Sequence, residues 1–417
     1  MRSVTSPAEQ IDELAPTPLL EPREGMPDVI ADEDALATTI RAVAAGTGPV
    51  AIDAERASGY RYGQRAYLVQ LRRVGAGTAI IDPIACPDLS DLGTVLADVE
   101  WVLHAAMQDL PCLAGVGMRP DTLFDTELAG RLLGFERVGL GTMVETVLGF
   151  RLEKGHSAVD WSTRPLPEPW LRYAALDVEL LLDLRDALES QLSTSGKDEW
   201  AREEFAAIVD APLPSPRPDP WRRTSGIHKT RRPRQLAVVR VLWEVRDSLA
   251  QQRDTSPGRV LADAAIIEAA LAMPRSRAAL AALPTYGNRS ARRDLDTWYA
   301  AIASAIALPE SEMPQPTPPT DGPPPARSWA ERNPLAADRL TSLRSCVAAI
   351  ADEHTLPSEN LLAPDAVRRL AWEPPDDLSP TGLATALAAL GARHWQVELT
   401  AKVMSRALVR LRARQAG

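Results

Sequence analysis

The sequence predicts an α/β layer domain followed by two all-helical modules. Three observations carry that prediction. Short apolar runs of strand type, separated by Gly-containing turns, fall in the first quarter of the chain. Helical patterns dominate from about residue 105 onward. Two proline-rich stretches, 209–234 and 309–326, then divide the helical text. A length of 417 residues fits two or three domains. The expected layout is a loose tail over 1–26, an α/β domain over 27–208, a basic Pro-rich linker over 209–234, a helical module over 235–308, a stiff linker over 309–326 and a second helical module over 327–417.

Each element has its own signal. Asp34 to Ala45 reads as a helix, and Pro49 to Glu55 as a buried strand. Tyr67–Leu71 and Thr78–Ile81 flank a turn at Gly75–Gly77 and read as an antiparallel hairpin. Trp101–His104 reads as another strand, followed by a helix from near Gln108, with Pro111 suited to its first turn. Leu171, Ala174, Val178, Leu181 and Leu182 form the apolar stripe of a further helix. Residues 235–308 are Ala-rich and helical, broken at Pro257-Gly258, Pro274 and Pro284. A last helical segment runs from Ser328. Strands first and helices later indicate an α/β or α+β layer fold.

Composition narrows the function classes. No apolar run reaches the roughly 18–20 residues needed to cross a bilayer, and the first residues lack the apolar core of a secretory signal. Membrane association is therefore not expected. Cys86, Cys112 and Cys346 are far apart and odd in number, which fits a reducing cytoplasm better than a disulfide framework or zinc site. The net charge of −10 argues against a nucleic-acid partner until its distribution is read. Residues 1–215 hold 18 Lys+Arg against 35 Asp+Glu, residues 216–310 hold 16 against 9, and the rest is balanced at 12 against 12. An acidic module is followed by a basic one. The cluster Arg222, Arg223, Lys229, Arg231, Arg232 and Arg234 opens the basic part, and its members suit phosphate contact as well as a solvated face.

Three features carry chemistry. Asp53-Ala-Glu55 ends the apolar strand, and strand alternation points both carboxylates to one face. Adjacent acids at a buried strand end repel unless a cation neutralises them. Asp109 opens a helix after the strand Trp101–His104, a place also explained by the helix dipole. Tyr173 and Asp177 lie one turn apart on a helix, as many surface pairs do. Their order raises the odds above those of any one motif.

That order resembles the DEDD exonuclease superfamily in its tyrosine subtype, and within it the ribonuclease D family. The matching blocks are Ile52-Asp-Ala-Glu55, Tyr67-Leu-Val-Gln-Leu71, Leu103-His-Ala-Ala-Met-Gln-Asp-Leu110, Phe124-Asp-Thr-Glu-Leu-Ala129, Asp160-Trp-Ser-Thr-Arg-Pro-Leu166 and Tyr173-Ala-Ala-Leu-Asp177, across residues 27–205. The resemblance implies a ribonuclease-H-like fold and 3′→5′ exonuclease chemistry with two divalent ions, Mg²⁺ or Mn²⁺. It further implies that Asp53 bridges both ions and that Glu55 holds one and meets the terminal nucleotide. Asp177 would serve the nucleophile side, Asp109 the other ion through water, and Tyr173 would orient the attacking water. His104 is expected to be structural. Arg164, with Lys154 and His156, flanks the last motif, where Arg164 suits a phosphate or an acid partner equally.

Residues 235–308, with Leu236–Trp243, Arg246-Asp247, Pro257–Asp263 and Trp298, resemble an HRDC domain, and 327–417 resembles a second, diverged HRDC-like domain. The implied activity is trimming of RNA 3′ ends, single-stranded or tRNA-like, with release of nucleoside 5′-monophosphates. The rival readings are a DNA exonuclease of the same superfamily and a nucleic-acid-binding protein without catalysis. Oligomeric state is not legible.

Overall fold

The computed structural model describes residues 15–416 apart from 154, 157, 216 and 316–321. Lys154 and the middle of the second proline-rich stretch thus lie outside the described residues. Among the described residues the strands are β1 (Thr17–Leu19), β2 (Val29–Ile30), β3 (Thr47–Arg56), β4 (Ala66–Val74), β5 (Gly77–Ile81), β6 (Trp101–Leu103), β7 (Leu123–Asp125) and β8 (Phe150–Leu152).

Six of them form one mixed sheet in the order β2-β5-β4-β3-β6-β7. The apolar run expected to be buried is its centre: Val50, Ala51 and Ile52 of β3 are fully enclosed. β3 runs antiparallel to β4 and parallel to β6. The β4–β5 hairpin turns at Gly75 and Gly77, both at positive φ, a conformation that side chains disfavour. The helix Glu33–Ala45 precedes β3 and is capped by Asp32, whose Oδ1 accepts from the Ala35 amide at 2.8 Å.

Two helices pack on the sheet where function is expected. Glu168–Glu179 crosses β3, β4 and β5, and Leu181–Thr194 lies on β3 and β6. The predicted single stripe is split between them by a break at Leu180. β1, β2, β7 and β8 are too short to show alternation, whereas β6, also three residues, shows as a continuous apolar run.

Residues 15–26 depart from the loose-tail expectation. β1 pairs with β8 in parallel, and Arg23 donates through Nε to the Glu179 carboxylate at 2.8 Å and through Nη2 to Asp183 at 2.8 Å. A buried Glu179 needs such a partner.

The middle helical module has its own core of Leu236, Leu242, Ile266, Tyr286, Trp298 and Trp221. Trp221 comes from the stretch expected to be linker, so folded structure begins there with a short 3-10 turn over Pro220–Arg223. The loop that follows β3 anchors this module. Ser256 donates its amide to the Tyr60 carbonyl at 2.9 Å, Arg259 donates to the Gly59 carbonyl at 2.8 Å and covers the Tyr60 ring, and the Tyr62 hydroxyl reaches Asp247 at 3.1 Å.

The last module shares the core of the first domain. Trp329, Leu343, Leu361 and Trp395 are continuous with the sheet's apolar packing. Trp200 stacks on Trp395 with centroids 4.7 Å apart. The buried Lys197 ammonium donates to the carbonyls of Leu132 at 2.7 Å and His354 at 2.6 Å. Among the described residues no helix is long and apolar enough to cross a membrane.

Candidate active site

Strand β3 delivers the first two acids. After three enclosed apolar residues, Asp53 and Glu55 emerge on one side of the sheet. Asp53 sits opposite Gln70 of β4, which donates through Nε2 to Asp53 Oδ2 at 2.8 Å. The helix Glu168–Glu179 delivers the next pair. Ala174, Ala175 and Val178 bury its inner face, which leaves Tyr173 and Asp177 half-buried above the end of β3. Carboxylate oxygens of Asp53, Glu55 and Asp177 all lie within 4.8 Å of one another. Tyr173 lies one helical turn before Asp177, and burial and the charge of that carboxylate push its hydroxyl upward.

Asp109 arrives by a different route. β6 ends in a left-handed turn at Ala105, with φ of 61°. The Asp125 carboxylate holds this turn by accepting from the Ala105 and Ala106 amides at 3.1 and 2.9 Å. The same carboxylate caps the helix Thr126–Leu132. A single 3-10 turn then sets Asp109 at the start of the helix Leu110–Ala114. Its side chain makes no capping bond and instead faces Arg56, with Nη2 and Oδ1 3.4 Å apart. The helix-dipole explanation is therefore not what fixes this carboxylate. Asp109 stands beside the three-acid group and not within it.

The electrostatics follow from this crowding. Burial, then the charges of Asp53, Asp177 and Asp109, push the Glu55 carboxyl up to about 10. Burial and Asp53 push Asp109 up to about 8. Asp53 and Asp177 move upward for the same reason, and Tyr173 is raised by burial and its acidic neighbours. Such a group stays protonated unless a cation offsets the charge. An all-oxygen donor set with converging carboxylates suits hard divalent cations.

The remaining predicted residues divide. Arg164 is committed to structure: it clamps Asp82 through Nε at 2.6 Å and Nη2 at 2.7 Å and donates to the carbonyls of Tyr67, Trp161 and Thr163. Its phosphate reading gives way to the acid-partner one. Arg222 pairs with Asp219 at 2.9 Å and covers the Trp221 ring. Arg223, Lys229, Arg231 and Arg232 are exposed. His104 is pushed down to about 4 by burial, and its Nδ1 lies 2.9 Å from the Thr126 hydroxyl, which fits a structural neutral ring. Sequence reasoning missed three residues around the acids: Gln70, Arg56 and Asp125. Asp125 alone had a signal, as a helix N-cap three residues before Leu128.

The chain is similar to known proteins over most of its length. A family model described as a 3′-5′ exonuclease covers residues 27–193, an HRDC domain model covers 235–302, and a 3′ to 5′ exonuclease C-terminal domain model covers 322–408. Ribonuclease D of Gluconacetobacter diazotrophicus is 31% identical over 79% of this chain and 82% of that protein. Ribonuclease D of Granulibacter bethesdensis is 32% identical over 83% and 86%. A solved protein of Bifidobacterium adolescentis superposes with a TM-score of 0.87 at 39% identity, covering 94% of this chain and 99% of that one. Escherichia coli RNase D superposes with a TM-score of 0.68 at 27% identity, covering 92% and 98%. With an exonuclease domain, an HRDC domain and a helical C-terminal domain in that order, the chain is a nuclease and belongs to the ribonuclease D family.

Proposed function

We propose that this protein is a 3′→5′ exoribonuclease that releases nucleoside 5′-monophosphates from RNA 3′ ends, single-stranded or tRNA-like. The observation that carries the reading is the convergence of Asp53, Glu55 and Asp177 beside Asp109 and Tyr173 in the exonuclease domain. The E. coli relative is described as an exoribonuclease involved in structured RNA processing, and the curated relatives are ribonucleases D. The three cysteines are free, as a reducing cytoplasm would leave them.

Asp53, Glu55, Asp109 and Asp177 would hold two divalent ions, Mg²⁺ or Mn²⁺. Those ions supply activation of water and stabilisation of the departing 3′-oxygen. Asp53 would be the ligand shared between them, and Glu55 would also meet the terminal nucleotide. Asp177 would serve the nucleophile side, where Tyr173, one helical turn away, would orient the attacking water. Asp109 would serve the other ion. Water adds to phosphorus, the bond to the 3′-oxygen breaks, and the shortened strand keeps a 3′-hydroxyl. The exposed Arg223, Lys229, Arg231 and Arg232 supply phosphate contacts on the basic middle module.

The test is a 5′-labelled single-stranded RNA incubated with full-length protein and Mg²⁺ or Mn²⁺. Stepwise shortening from the 3′ end is expected, and Asp53→Asn should abolish it while thermal unfolding stays cooperative. Internal cleavage, or equal activity of Asp53→Asn, would remove the reading.

A further inference from the structure

Arg56 is a cation set against the carboxylate cluster, in a place that strand alternation does not explain. Asp53 and Glu55 share a face of β3, so a regular strand would send residue 56 to the other side. The pairing shifts there: Glu55 is opposite Leu68, whereas Arg56 is opposite Ala66. Tyr67 is thus skipped, and such a bulge re-aims the side chain next to it. The re-aimed guanidinium approaches Asp109 to 3.4 Å, with the arginine side chain 27% exposed and the aspartate 8%. Arg56 also lines a cleft of about 350 Å³ with Glu55, Gly59, Tyr60 and Val159.

The consequence is a competition. A metal that recruits Asp109 must share or displace the charge already resting on it. A part-exposed guanidinium on a flexible stem can leave, whereas the Asp109 backbone is held at a helix start.

We propose that Arg56 is a positioning residue that acts as the internal counter-ion of Asp109. It holds that carboxylate beside the three-acid group in the metal-free protein and competes with a divalent cation for it. This inference rests on the nuclease reading of the same cluster.

Mn²⁺ titration of the full-length protein, followed by electron paramagnetic resonance and calorimetry, tests the competition directly. Arg56→Gln should tighten the weaker Mn²⁺ site by about three- to tenfold, the scale of one released part-buried ion pair. Arg56→Lys keeps the charge and should tighten it less. In an Asp109→Asn background the Arg56→Gln effect should vanish, because the double-mutant cycle isolates the pair. Unchanged or weaker Mn²⁺ binding in Arg56→Gln overturns the inference and leaves the nuclease reading standing. So does a gain that survives Asp109→Asn, since it reports only net charge. Wild-type protein that binds no Mn²⁺ at all overturns both.

Discussion

Metal binding at the carboxylate cluster should expel protons, and a lower bound on their number follows from the site. Glu55 is raised to about 10 and Asp109 to about 8 in the metal-free protein. At pH 7 both are then largely protonated, Glu55 the more completely. A bound cation needs its ligands as carboxylates, so saturation should release at least one proton per chain, with Asp53 and Asp177, also raised, adding to the count. At pH 9 Asp109 is more ionised than at pH 7, and the release should be smaller. Isothermal titration with Mg²⁺ in buffers of different ionisation enthalpy gives the count directly. The sign for stability follows. A carboxyl whose folded value is raised makes the folded state bind more protons than the unfolded chain, so metal-free stability falls as pH rises from about 4.3 toward about 10. Chelated protein should melt progressively lower between pH 5 and 8, and the gain on adding Mg²⁺ should widen over the same range. Zero proton release at pH 7, with a Mg²⁺ effect on melting that ignores pH, would refute the crowding argument.

Other perturbations separate chemistry from scaffold. Tyr173→Phe should lower kcat by about 10- to 100-fold while Mn²⁺ affinity in calorimetry stays within twofold, on the order of one lost proton-positioning contact; parallel loss of metal affinity would contradict a water-orienting role. Arg164→Ala should cost about 3 kcal/mol in urea unfolding at pH 7, because it strands the buried Asp82. The Arg164 clamp holds Asp82 below its ordinary value, so its stabilisation is present above about pH 3.9 and lost as pH falls further; the gap between wild type and variant should close there. Lys197→Met strands the carbonyls of Leu132 and His354 and should cost about 1–3 kcal/mol, read by denaturant unfolding, with the catalytic rate near wild type. Arg259→Ala removes the Gly59 bond and the Tyr60 cover and should raise amide exchange over residues 57–65, by about 1 kcal/mol of lost protection; unchanged exchange would show that this loop does not anchor the middle module.

The sequence by itself determined the strand that carries Asp53 and Glu55, the hairpin behind it, the helix that carries Tyr173 and Asp177, and the division into one α/β domain and two helical modules. Those elements are long or strongly patterned, and their side-chain spacing is dictated by local backbone geometry. Only the tertiary structure decided which acids meet. Asp109 stands on Arg56 because a bulge re-aims one residue of β3, and a bulge leaves no mark in a period-two pattern. Arg164 looked equally ready for phosphate or acid until the fold set Asp82, 82 positions earlier in the chain, against it. Residues 15–26 and the first linker depart from expectation for a related reason. Their polar, proline-rich text hides a three-residue strand, an Arg23 clamp on Glu179 and a buried Trp221, all of which depend on partners far away in the chain. Local spacing selects elements, whereas burial and charge pairing across long separations select their neighbours.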